Sequence, residues 1–247
     1  VTMKMFASPL VFLVAFATSA AAFAPSNGVA SSRHVKVAAS EQETMFDDFV
    51  NEAELFKTSS FAIPPEKLIE RAKEVLSPTV GLGTKDGGEC LAEDFEFCAA
   101  VVGPIGREEY LNALGTFKLE DSFDITANFF GMSVDPIQTN RVWFFNRVKG
   151  IHKGTFMGAE PTGKEIVYPP QIQHLDFNGD GKIKEYGFYT ADRRQGNTGG
   201  LGGAFGFMYG VGKPLPIPEC QPYKRSFRFR MLSFIGSLAQ KLSKKKK

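Results

Sequence analysis

The chain has 247 residues, 43% of them hydrophobic and 24 of them Phe, which suits one domain of ordinary size plus extensions. Its net charge of +2 conceals an asymmetry, because residues 1–40 sum to +3, residues 224–247 sum to +9, and neither segment contains an acid. Residues 41–223 therefore carry −10. An acidic body does not fit a nucleic-acid-binding domain, which would cluster basic charge on the fold itself.

The first 40 residues have the composition of a targeting segment. Lys4 precedes an apolar run, Leu10 to Ala22, that is too short to span a membrane and ends in an A-x-A cleavage pattern. Residues 23–40 are rich in Ser and Ala, basic and free of acid. The junction Phe23-Ala24-Pro25 resembles the bipartite presequence of algae with complex plastids. This resemblance implies a signal peptide over 1–22, a transit peptide over 23–40, and a location in the stroma or at the thylakoid surface; a secreted protein is the alternative.

Three cysteines, Cys90, Cys98 and Cys220, form neither a disulfide framework nor a zinc pattern, because their number is odd and no CxxC spacing occurs. We expect structural burial of reduced thiols. No cofactor and no metal site are expected.

The first half of the acidic segment, residues 41–117, predicts two helices, a strand and a third helix. Residues 41–57 predict a short amphipathic helix, and Pro65 opens a segment with helical apolar spacing that Pro78 ends. The glycine-rich stretch 81–88 lacks the third glycine of a dinucleotide fingerprint and is interpreted as a linker. Residues 91–97 alternate as a strand, and residues 107–117 place Tyr110 on one apolar helical face.

The second half predicts an antiparallel sheet. Residues 122–134 are expected to form one strand, and the stretch from Arg141 to Asp192 is expected to form three more. Within it, residues 176–183 mimic a calcium loop, but Gly187 occupies the position of the required bidentate acid. A hairpin turn is favoured over calcium binding. The order of elements predicts an α+β fold with helices on one face of the sheet.

Several motifs together resemble the SnoaL-like polyketide-cyclase branch of the nuclear-transport-factor-2-like superfamily. They are Asp94-Phe95, Gly106-Arg107, Tyr110, GIHKG at 150–154, PTGK at 161–164, GKI at 181–183, and Asp192. The resemblance covers about residues 66–195. It implies a cone-shaped fold over 41–195, in which a curved, mostly antiparallel sheet wraps around N-terminal helices and encloses a cavity. By the same analogy we expect a homodimer.

This resemblance also implies site residues. Asp192 would be an acid/base in an apolar cavity, and His152 an orienting donor or proton shuttle. The alternatives are an Asp192 paired with Arg193 or Arg194, and a His152 satisfied at the sheet edge. The expected cavity wall or core comprises Tyr110, Trp143, Tyr168, His174 and Phe188.

The last part of the chain changes character twice. Residues 196–223 are rich in Gly and Pro and predict a flexible flap or packed loop near the cavity mouth. Residues 224–247 predict a basic amphipathic helix, which would contact a membrane surface, dock on the domain or contact its acidic body.

Two hypotheses on function follow. In one, the domain binds a small apolar molecule without catalysis. In the other, it is a cofactor-independent cyclase or isomerase that uses Asp192 on a carbonyl-containing isoprenoid or polyketide-like substrate.

Overall fold

A computed structural model describes residues 49–117 and 119–244, with side-chain environments up to residue 238 except at Thr116. The predicted signal peptide, the predicted transit peptide and the start of the helix predicted over 41–57 lie outside the described residues. The described part of that helix is α1, Glu52–Thr58, which Asn51 caps with its side-chain oxygen.

The described chain contains six α-helices and nine strands. The further helices are α2 (Pro65–Val75), α3 (Arg107–Phe117), α4 (Leu119–Ser122), α5 (Gly203–Gly210) and α6 (Phe227–Lys244). The strands are β1 (Leu91–Phe97), β2 (Ile105–Gly106), β3 (Phe123–Thr126), β4 (Phe130–Val134), β5 (Arg141–Asn146), β6 (Lys149–His152), β7 (Glu165–Val167), β8 (Gln171–Phe177) and β9 (Ile183–Thr190).

The strands form a six-stranded sheet in the order β2-β1-β9-β8-β5-β4 and a three-stranded sheet in the order β3-β6-β7. Every pairing is antiparallel except that of β1 with β9. The second sheet continues the first across a bend, where the Tyr168 N–H donates to the Val148 carbonyl at 2.9 Å. The α+β fold with a curved, mostly antiparallel sheet is confirmed.

The bend corrects two predictions about strands. Residues 122–134 form β3 and β4 rather than one strand, because Asn128 has a φ of +51° and bonds the Arg147 carbonyl through its side chain. The three strands predicted between Arg141 and Asp192 are five, since β5 with β6, and β7 with β8, are each interrupted at the bend.

Two hydrophobic clusters form the core. In the first, Leu68 and Val75 of α2 and Tyr110 of α3 pack with inward side chains of the large sheet such as Phe144 and Leu175. Both helices thus cover one face of that sheet, as predicted. The second cluster joins the small sheet to α5. Cys90 and Cys220 are buried and Cys98 is half-buried.

The segment 196–223 contains helix α5, where the sequence indicated only a loop. This helix approaches the small sheet through glycines. A Cβ atom at Gly206 would lie 2.8 Å from the Tyr168 ring, and one at Gly210 would lie 2.7 Å from Ile166 Cδ1. Close contact between helix and sheet therefore replaces the flexible flap.

The turn between β8 and β9 is the hairpin predicted in place of a calcium loop. The Asn178 side-chain oxygen accepts hydrogen bonds from the Asp180 and Lys182 N–H groups at 3.0 and 2.9 Å. Gly181 has a φ of +74°, a left-handed conformation that glycine adopts without strain.

Candidate ligand-binding cavity

A cavity of about 1100 Å³ opens at the concave face of the large sheet. Its walls come from α3, from the inner faces of β5, β8 and β9, from α5 with the loop before it, and from residues 218–224. Representative lining side chains are Phe97, Leu114, Phe117, Asn146, Gln171, Gln173, Tyr186, Phe188, Phe205 and Phe207. The cavity is thus bounded by elements distant in sequence.

Aromatic rings make up much of the inner wall. The centroid of the Phe97 ring lies 5.5 Å from that of Tyr110, 5.4 Å from that of Tyr186 and 5.8 Å from that of Phe188. Such tilted contacts hold the rings in place and add to the stability gained from burial. The wall therefore presents a preformed apolar surface.

Three amide side chains interrupt this apolar surface. Asn146 and Gln171 are directly opposite each other on β5 and β8, and Gln173 lies two residues further along the same face of β8. Each is only 3% exposed. Gln173 accepts a hydrogen bond from the Tyr186 hydroxyl at 3.2 Å. We call these three residues the amide cluster.

Two atoms of the amide cluster have no partner in the described part of the chain. They are the Asn146 Oδ1 atom and the Gln171 Nε2 atom, an acceptor and a donor. An unpaired buried amide costs about 1–3 kcal/mol, so such groups are uncommon in a protein interior. Sequence reasoning missed them, although strand alternation with Val142 and Phe144 was a signal that Asn146 faces inward.

Glycines hold the loop before α5 against this part of the cavity. A Cβ atom at Gly202 would lie 2.0 Å from Gln171 Nε2, and one at Gly203 would lie 2.9 Å from the Phe188 ring. The backbone of the loop therefore touches both side chains directly.

The exposed rim of the cavity is polar and carries both signs of charge. Lys85 pairs with Glu120, and the Arg193 guanidinium lies 5.1 Å from the centroid of the Tyr223 ring. Lys224 also lines the rim. Apolar walls with a few polar groups inside and a charged rim are the usual composition of a small-molecule site.

Three of the five residues predicted for the cavity wall line it. Tyr110, Tyr168 and Phe188 are all lining residues. Tyr168 is buried, and its hydroxyl donates to the Gly203 carbonyl, which ties the small sheet to the start of α5. Contact of these rings with a ligand stays a prediction.

Trp143 and His174 lie instead on the outer face of the large sheet. Side chains alternate along a strand, and the neighbours of Trp143, Val142 and Phe144, point inward. The Trp143 indole N–H donates to Asp135 at 2.8 Å, and His174 Nε2 lies 2.8 Å from Glu185 Oε1. Neither is among the lining residues.

His174 is nearly fully buried in this outer position, with its ring stacked on Tyr189 at 5.9 Å. Burial is the largest influence and lowers the pKa of the imidazole, and nearby Arg141 acts in the same direction. The hydrogen bond to Glu185 and the charge of Asp176 oppose the shift. The net direction is downward, so the neutral ring is favoured.

A stability change below neutral pH follows from this lowered pKa. The unfolded chain takes up a proton near pH 6.5 while folded His174 does not, so stability falls as pH drops below that value. The slope is at most about 1.4 kcal/mol per pH unit. Urea denaturation from pH 7.5 to pH 5 measures it. In His174→Gln most of this slope disappears; a His174→Gln slope equal to that of the wild type would contradict the assignment.

Asp192 lies just beyond the end of β9 and binds its neighbours. Its carboxylate accepts hydrogen bonds from the Arg194 guanidinium at 2.8 and 3.0 Å and from the Gln195 amide at 3.1 Å. These donors, the Arg194 side chain first, hold the pKa of Asp192 well below its usual range. A carboxylate kept ionised in this way is poorly suited to exchange protons near neutral pH.

His152 is buried in the second hydrophobic cluster region. Its ring stacks on Phe123 at 5.1 Å, and its Nδ1 atom lies 3.1 Å from the Thr162 hydroxyl. Neither His152 nor Asp192 is among the residues that line the cavity. The expectation that both side chains point into it is therefore not met, because local pairing holds Asp192 and packing under the small sheet holds His152.

No protein-family model and no curated protein matches this chain. Solved structures with a similar fold include AclR from Streptomyces galilaeus, a candidate hydroxylase (15% identity, 71% of this chain and 98% of that one, TM-score 0.43). They also include a candidate SnoaL-like polyketide cyclase from Jannaschia sp. CCS1 (19% identity, 54% of this chain and 89% of that one, TM-score 0.41). A third is an LEH-like epoxide hydrolase from M. tuberculosis (11% identity, 51% of this chain and 83% of that one, TM-score 0.39). Similarity at this level carries no information about a ligand or a reaction.

Proposed function

We propose that this domain binds a small, largely apolar molecule that carries at least one hydrogen-bonding oxygen. The observation that supports the proposal is the pair of unpartnered amide atoms of Asn146 and Gln171 in a largely apolar cavity. A carbonyl oxygen of the ligand accepts from Gln171 Nε2. A hydroxyl group can in addition donate to Asn146 Oδ1.

The energetics favour a ligand of this kind over a pure hydrocarbon. A hydrocarbon would fill the cavity but leave both amide atoms without a partner, which costs about 1–3 kcal/mol for each group. An oxygen at the right position removes that cost, and the aromatic walls bury the rest of the molecule. The cavity volume of about 1100 Å³ is slightly above the range of about 300–1,000 Å³ that is usual for small-molecule sites.

Binding without turnover is the form of the proposal that we favour. The cyclase or isomerase alternative requires Asp192 beside the ligand, whereas its carboxylate binds Arg194 and Gln195. We further propose that residues 1–40 direct the domain to a plastid. A fluorescent protein fused to these residues should enter the plastid of a diatom; secretion of the fusion would contradict this.

Calorimetric titration with β-ionone, an apolar isoprenoid ketone, tests the binding proposal. Leu114→Trp replaces an aliphatic side chain of the α3 wall with a bulkier indole ring and is expected to weaken binding at least about tenfold, a loss of about 1.4 kcal/mol. The matched control is Ile137→Trp, which adds the same ring at a position that is 78% exposed and does not line the cavity.

The control should bind β-ionone as the wild type does, and so should Asp192→Asn. Equal affinity of Leu114→Trp and the wild type would place the ligand elsewhere. Absence of heat with β-ionone and with its alcohol, β-ionol, would overturn the proposal for this ligand class. The enzyme alternative would be favoured if Asp192→Asn lost binding. It would also be favoured if the wild type converted the ligand and Asp192→Asn did not.

A further inference from the structure

Helix α6 exposes a continuous apolar face. Phe227, Met231, Phe234, Ile235 and Leu238 recur at intervals of three and four residues, which places them on one side of the helix. They are all exposed, from 49% at Leu238 to 76% at Phe227. Their side chains are therefore not docked on the domain, which was one of the sequence-based alternatives.

The other side of α6 is less apolar. Ser233 and Gly236 lie nearly half a turn away from the apolar face, together with one aromatic side chain, Phe229, which is 50% exposed. The segment 224–247 contains nine Lys or Arg residues and no acid. A helix with an exposed apolar face and strong positive charge is complementary to the surface of an anionic bilayer.

Contact with the acidic body of the chain explains this pattern less well. Charge attraction to the body would satisfy the basic residues but leave the apolar face in water. A bilayer surface satisfies both, since acyl chains take up the apolar face and headgroups pair with the basic side chains. In the described residues, no helix is long and apolar enough to cross a membrane.

The position of α6 in the chain connects it with the cavity. Residues 218–224 include rim residues of the cavity, the last of them Lys224, and α6 begins at Phe227. At most about 3.5 Å of extended chain per residue separates the two. A surface that holds α6 therefore also lies within reach of this side of the rim.

We propose that α6 lies flat on an anionic lipid bilayer and holds the rim formed by residues 218–224 at that surface. This docking does not require a bound ligand. If the cavity binds an apolar molecule as proposed above, that molecule exchanges with the bilayer rather than with water.

Co-sedimentation of the full chain with lipid vesicles tests the docking. Binding is expected to vesicles of equal parts phosphatidylcholine and phosphatidylglycerol, and much less to phosphatidylcholine alone. It should weaken as NaCl rises from about 0.1 M to about 1 M, because salt screens the headgroup attraction. The double variant Phe234→Gln with Leu238→Gln should reduce the partition coefficient at least about tenfold.

The matched control is Ser233→Gln with Gly236→Gln, which introduces the same two side chains nearly half a turn away from the apolar face of α6, where a Cβ at Gly236 meets nothing within 4 Å. It should bind as the wild type does. Equal binding by both double variants, or no binding by the wild-type chain, overturns the proposal. The proposal is also overturned if light scattering shows that the wild-type protein forms an oligomer without vesicles and that only the apolar-face variant abolishes it. A second copy of the chain would then cover this face.

A reporter at the rim tests the second half of the proposal. In a Trp143→Phe background, which removes the single native Trp, the reporter is Tyr223→Trp. Its fluorescence should be quenched by brominated phosphatidylcholine included in the anionic vesicles. Ile137→Trp in the same background is the control. Residue 137 lies just before the start of β5, whereas Asn146 of the amide cluster is at the other end of that strand. Equal quenching of the two reporters would contradict the proposed orientation. So would the absence of quenching of both reporters in protein that is bound to vesicles.

Discussion

Replacement of Gly187 by Ala is expected to destabilise the fold by about 3 kcal/mol or more. Gly187 of β9 is directly opposite His174 of β8. The new Cβ atom would lie 2.3 Å from His174 Cε1 and 2.5 Å from the Cys98 carbonyl oxygen. Movement of a side chain alone cannot relieve the second contact, because the carbonyl belongs to the backbone. Urea denaturation of the full chain measures the loss.

Gly106→Ala is the matched control for this substitution. Gly106 is also in a strand of the large sheet, and a Cβ atom there would meet nothing within 4 Å. We expect its stability to stay within about 0.5 kcal/mol of the wild type. If Gly187→Ala were equally mild, the His174 ring could not occupy its buried position over Gly187.

Gln171→Met is expected to change stability and ligand binding in opposite directions. Met keeps the length of the side chain and removes an amide whose Nε2 atom has no partner, so stability should rise by about 1 kcal/mol. Binding of β-ionone should weaken about tenfold or more, because its carbonyl loses a donor. The hydrocarbon analogue without the carbonyl should bind no worse than before. Thermal unfolding and calorimetric titration measure the two effects.

Gln195→Met is the control, since Gln195 is exposed and is not a lining residue. Its stability should fall by about 1 kcal/mol, because surface hydrogen bonds with Asp192 and Arg147 are lost, and its affinity for β-ionone should not change. Two results would contradict the role of the amide cluster. One is a Gln171→Met variant that binds the ketone as the wild type does. The other is a marked loss of stability, which would mean that the Gln171 amide is already satisfied in the folded protein.

Local sequence patterns were sufficient for the elements that depend on local physics. Helix α2 begins at Pro65, as predicted, because proline suits the first turn, and Leu68, Ala72 and Val75 recur at helical spacing on its buried side. The pairing of Asp192 with Arg194 was one of the two alternatives, since residues two apart can meet in a turn. The α+β order of elements followed from the same patterns.

Elements that depend on tertiary contact were not recognised. Helix α5 contains glycines at 203, 206 and 210, which ordinarily disfavour a helix, and local propensity therefore indicated a loop. Its stability comes from the close contact with Tyr168 and Ile166 that those glycines permit. The amide cluster was missed for a related reason. Only the register of β5 with β8 brings Asn146 next to Gln171.

The glycine contacts of α5 limit the ways in which the ligand range of this domain can change. Any larger residue at Gly206 or Gly210 collides with the small sheet, so this wall of the cavity can neither advance nor retreat by substitution there. The opposite wall consists of α3 side chains such as Ala113, Leu114 and Phe117. The ligand range can therefore change through side chains that line the cavity, on α3 or at Phe205 and Phe207 of α5, but not through a shift of α5 itself.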